Sequence, residues 1–158
     1  MKKTTSKKIL VHAYGNRGRG DDGLGEEFIN GINRWIETND LRSLDTENSF
    51  QLTIEHAAAM AEYDGVIFID ASKADILDFS LQKITPELQQ SFTSHSISPS
   101  TLVGLCTELY NRSPLVYLLQ IKGYRWEFGI GLSDQAKENL QKALKFSFDF
   151  ITDFQNHE

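Results

Sequence analysis

Hydrophobic and polar positions along this chain switch between two periods, and the switches outline an α/β domain. Lys8 to Tyr14 is a short β-rich run closed by Gly15, which predicts a strand feeding a tight loop. Beyond the loop, Leu24, Phe28, Ile32, Trp35 and Ile36 recur at helical spacing, preceded by Asp21 and Asp22, whose charges suit a helix N-terminus. Polar residues Glu37 to Ser49 predict a connection, Phe50 to Ile54 a second strand and Glu55 to Glu62 a short helix. Val66 to Ala71, reading VIFIDA, is a continuous apolar run of the kind buried on both faces of a parallel sheet.

The second half continues the alternation with one exception. Too few residues separate Asp70 from the next run, Phe79 to Ile84, for the dozen or so that a parallel crossover needs, so this strand is expected to be antiparallel. Ser98 with Pro99 at the first helical position predicts a helix to Tyr110, and Leu115 to Ile121 another buried strand. Ser133 and Asp134 open a last helix whose Leu140, Leu144, Phe148 and Ile151 form one stripe. The aromatic series Phe146, Phe148, Phe150 and Phe154 widens that stripe into a broad buried face.

Composition narrows the class without changing the architecture. A chain of 158 residues fits one domain, residues 1–158, with 1–7 read as a frayed tail. Hydrophobic residues at 40% and charged residues at 24% describe a globular chain that needs no disulfide or structural metal for its core. A formal net charge of -6 argues against nucleic acid or an anionic membrane surface as the main partner. No apolar stretch approaches the roughly 18 to 20 residues of a membrane span, and the apolar run behind the basic start is too short for a signal peptide. The lone Cys106 cannot form an internal disulfide, so the reducing cytoplasm is the expected location, and its helical neighbours mark it as a buried hydrophobe.

The chemistry concentrates after the first strand, where Gly15 to Gly25 reads GNRGRGDDGLG. Gly18, Gly20 and Gly23 satisfy GxGxxG, yet two aspartates stand where a pyrophosphate would rest and would repel it. Asp22 follows the first strand and Asp70 ends the third, so both are expected in the crevice beyond the carboxyl ends of the strands. Such a pair is repulsive unless a proton or a cation intervenes. One reading is a receiver-type phosphoacceptor built from Asp21, Asp22, Asp70, Ser94 and Lys122. The other adds His95, from a polar loop, to Asp22 and Asp70, giving two carboxylates and an imidazole suited to nickel, zinc or iron. His12 reads as a packed or hydrogen-bonded core histidine and His56 as a helix-end residue.

The pattern GNxxxxDDGxG, the strand ending Asp70-Ala71 and a His loop about 25 residues later together resemble the nickel-iron hydrogenase maturation endopeptidases, with similarity from Ile9 through EFGIGLS to the last helix. The resemblance implies a three-layer α/β/α sandwich with a mixed, mostly parallel five-stranded sheet containing one antiparallel strand. It implies an endopeptidase that removes the C-terminal extension of a nickel-iron hydrogenase large-subunit precursor after nickel insertion. Asp22, Asp70 and His95 would contact nickel carried by the substrate, and other divalent metals could substitute in the isolated protein. Ala13 stands where the family commonly has glycine, and Arg17, Gly18 and Arg19 where it commonly has apolar residues. Trp126 and Phe128 are candidates for a rim gripping a peptide. No HExxH helix or GxSxG elbow is present, and no residue stands out for the hydrolysis itself. The alternative is a receiver-like or metal-sensing binding module without protease activity.

Overall fold

The computed structural model describes residues 6–86 and 97–157. Five strands form one sheet in the order β2-β1-β3-β5-β4: β1 (Ile9–Tyr14), β2 (Leu44–Ser49), β3 (Gly65–Ser72), β4 (Phe79–Lys83) and β5 (Leu115–Lys122). All pairings are parallel except β4 with β5, the antiparallel strand that the short connection predicts. Helices α1 (Leu24–Asn39) and α4 (Asp134–Asn156) cover one face; α2 (His56–Met60) and α3 (Pro99–Tyr110) cover the other. This is the three-layer α/β/α sandwich.

Strand alternation assigns each residue to a layer. Ile9, Val11 and Ala13 of β1, with Ile67 and Ile69 of β3, pack against Phe28, Ile32, Leu140 and Leu144 of α1 and α4. Leu10, Val66, Phe68 and Leu118 face Met60, Leu102 and Cys106 instead. Asp70 keeps step with Val66 and Phe68, so its carboxyl belongs to the α2/α3 side of the sheet. Ser98 and Ser133 cap α3 and α4 by accepting the amides of Thr101 and Ala136. The aromatics of α4 are only partly covered, not the broad buried face expected: Phe148 stacks on Trp35, Phe150 meets Tyr117 edge-on, and Phe146 lies against Phe79 yet stays 37% exposed.

The second strand differs from its prediction. It occupies Leu44–Ser49, inside the expected connection, while Phe50 to Ile54 forms bends and a turn with Phe50 68% and Ile54 48% exposed. β2 is an edge strand held by backbone pairing to β1, and it buries only Leu44. The strand order also corrects the receiver-type reading, which needs five parallel strands in the order 2-1-3-4-5.

Candidate functional site

Connections leave β1 and β3 towards opposite edges of the sheet, so a crevice opens beyond their carboxyl ends. Two carboxylates enter it. Asp70 comes from β3 itself, and Asp22 from the 3-10 turn Gly20–Gly23 that links the β1 loop to α1. The Asn16 amide donates to Asp22 Oδ2 at 2.7 Å, which folds the loop over its own carboxylate. Gly15 makes this possible: at φ 144° it adopts backbone that favours glycine, and a Cβ there would lie 2.6 Å from the Asp22 carbonyl oxygen and 3.2 Å from Oδ1.

Burial raises the Asp70 carboxyl to about 6, and the Asp22 charge adds to the rise against the opposing effect of the Tyr14 hydroxyl beside it. Burial first, and then the same carboxylate, hold Tyr14 firmly in its protonated form, so Tyr14 serves as a hydrogen-bond donor. A carboxyl pushed up by a neighbouring carboxylate is chemically poised for a cation, which would relieve the repulsion.

Asp21 has a different task from its neighbour. Fully buried, it accepts the amides of Tyr124 at 2.6 Å, Arg125 at 2.9 Å and Ser133 at 2.7 Å, and the Ser133 hydroxyl at 2.8 Å. Burial alone would raise its carboxyl, but these donors hold it below the usual carboxylate range. It is neither a helix cap nor half of an acidic metal pair. Asp21 ties the loop to the segment between β5 and α4, and Lys122, cast as the receiver lysine, lies 3.8 Å from Asp75.

The unusual loop arginines have partners in this arrangement. Arg17 pairs with Glu26 at 3.2 Å, whereas Arg19 donates to the Trp126 carbonyl and lies over the Phe128 ring. Arg19 and Phe128 also form an isolated β-bridge, which places the candidate rim directly beside the loop. Phe128 is 71% exposed there, and Trp126 is partly buried under the Lys73 ammonium. Of the sequence candidates, Asp22 and Asp70 come together; Ser94 and His95 lie outside the described residues. Tyr14 escaped the sequence reading because its role depends on which strand lies beside β1.

No family model matches the chain, and no curated protein matches it. Solved structures do. The NiFe hydrogenase maturation protease HycI from Thermococcus kodakarensis KOD1 superposes with a TM-score of 0.68 at 17% identity, covering 94% of this chain and 95% of that one. The hydrogenase maturating endopeptidase HybD from E. coli gives 0.66 at 16% identity, covering 92% and 93%. A hydrogenase 2 maturation peptidase from the Thaumarchaeota archaeon SCGC_AB-539-E09 gives 0.64 at 17% identity, covering 92% and 99%. The chain therefore shares its whole fold with solved hydrogenase maturation proteases.

Proposed function

We propose that this chain is an endopeptidase that removes the C-terminal extension of a nickel-iron hydrogenase large-subunit precursor after nickel insertion. The observation that carries the reading is the convergence of Asp22 and Asp70 on one crevice, with Asp70 held near 6 by burial and its acidic neighbour. Likeness of fold over nearly the full length of solved hydrogenase maturation proteases supports it. Nickel arrives as part of the substrate. Asp22, oriented by the Asn16 amide, and Asp70, flanked by the Tyr14 hydroxyl, supply oxygen donors to it, and His95 is the third candidate contact. Without the substrate metal Asp70 holds a proton up to about pH 6; a divalent cation displaces that proton and lets both carboxylates ionise together. Trp126 and Phe128, held beside the β1 loop through Arg19, would grip the peptide flanking the scissile bond. Among the described residues no helix is long and apolar enough to cross a membrane.

Asp22→Asn and Asp70→Asn test the reading. Each keeps its side-chain shape, so circular dichroism should remain unchanged while processing of the nickel-loaded precursor falls at least about 100-fold, the scale of losing a group used only at the reacting centre. Full activity in both variants would remove the carboxylate pair from the reaction.

A further inference from the structure

A second set of ligating side chains lies on the α2/α3 face, towards the β2 edge. His12 of β1 and Glu47 of β2 are direct partners in the strand register, and His56 opens α2 above them. One donor atom from each of the three lies within 4.8 Å of the other two. His12 Nδ1 is 4.0 Å from Glu47 Oε2, and His56 Nε2 is 3.7 Å from Glu47 Oε1. The imidazoles meet edge-to-face with centroids 4.5 Å apart.

A buried polar atom without a partner distinguishes this cluster from an ordinary packed histidine. His12 is 1% exposed, yet its Nδ1 has no hydrogen-bond partner among the described residues and faces Glu47. Leaving such an atom unpaired is costly, so a group that fills the position is favoured. Burial and the neighbouring His56 keep the His12 imidazole neutral down to a pKa of about 3, which leaves a lone pair available throughout the ordinary pH range.

We propose that His12, Glu47 and His56 form a binding site for one divalent transition-metal ion of the zinc class, separate from the Asp22–Asp70 crevice. Two neutral imidazoles and a carboxylate are a donor set for zinc or cobalt, with a fourth position left for water. The hydrogen bonds behind the ligands fit this role. His12 Nε2 lies 2.8 Å from Ser49 Oγ and can donate to it, which directs the Nδ1 lone pair into the cluster. His56 Nδ1 now accepts the Thr53 amide at 2.9 Å, so its proton rests on Nε2. The Thr53 hydroxyl stands 3.5 Å from the same Nδ1. Binding through Nε2 uses the other neutral tautomer: the Nε2 proton passes to solvent and one is taken up at Nδ1, with no net proton released, while a small tilt of the ring turns the Nδ1 proton from the Thr53 amide to the Thr53 hydroxyl, which accepts it. Donors around a tetrahedral zinc lie roughly 3 to 3.5 Å apart. The required contraction falls on Glu47, half-exposed on the edge strand, and on His56, at the start of a five-residue helix.

The test is titration of the full-length, metal-free protein with Zn2+ by calorimetry, and with Co2+ by visible absorption. The Asp22→Asn/Asp70→Asn double variant should still bind one zinc per chain and develop the intense d–d bands of low-coordinate cobalt. Adding Glu47→Gln/His56→Ala to that double variant should remove both signals while the circular dichroism spectrum is retained. Ser49→Ala, which removes only the support behind His12, should weaken zinc about 10–100-fold. Absence of binding by the Asp22→Asn/Asp70→Asn variant, or binding by that variant that survives the further change Glu47→Gln/His56→Ala, would each overturn the proposal.

Discussion

Two adjacent aspartates illustrate how environment divides one residue type between tasks. Asp21 and Asp22 are indistinguishable by spacing, but the first is enclosed by four donors and the second faces the crevice. Asp21→Ala should therefore cost about 2–4 kcal/mol, since it leaves the buried Ser133 amide and hydroxyl, and the partly buried Tyr124 and Arg125 amides, without their acceptor; urea denaturation measures the loss. Asp70 should behave in the opposite way. Its carboxyl is raised from 3.8 to about 6, so the folded chain holds this proton more tightly than the unfolded chain, and the associated stability is lost as pH rises from about 4 through 6. At pH 8 the ionised form carries a penalty of about 3 kcal/mol. Asp70→Asn should raise the melting temperature by roughly 5 °C or more at pH 8, with the gain disappearing near pH 4. A gain that was equal at both pH values would contradict the burial argument. His12 contributes with the other sign, because its folded value lies below its unfolded value of 6.5; that stability is complete above 6.5 and declines as pH falls towards 3.

At the scale of elements, hydrophobic patterning was legible wherever packing decided the structure and misleading where backbone pairing did. β3 and β5 follow their apolar runs, and β4 is antiparallel because too little chain separates it from β3 for a crossover. β2 is different: LDTENS contains one buried apolar residue, so its period was hidden, while the apolar Phe50 and Ile54 beside it point to solvent. That displacement had a consequence for the site. Only with Leu44–Ser49 as the strand does Glu47 fall opposite His12, so the His12, Glu47 and His56 cluster could not be read from the sequence, whereas Asp22 and Asp70 could, being fixed by strand ends alone. Leu44→Ala should cost about 2–4 kcal/mol as a core truncation, and Phe50→Ser less than about 0.5 kcal/mol, a contrast that thermal or denaturant melts resolve.

At the scale of the whole molecule, the sheet order places the loop after β1, the end of β3 and the segment after β5 around one crevice, and Gly15 and Asp21 fix the loop over it. Gly15→Ala should reduce processing as strongly as loss of Asp22, because the added methyl displaces that carboxylate even though it touches no substrate. On the proposed function, the acidic pair engages nickel carried by a precursor. The most direct measurement is mass spectrometry of a hydrogenase large-subunit precursor incubated with this protein, with the precursor supplied either nickel-loaded or metal-free. The C-terminal extension should be lost from the nickel-loaded form alone, with no gain when nickel is added only to the buffer beside a precursor unable to bind it. Equal cleavage of both forms, or cleavage of neither, would contradict the proposed function.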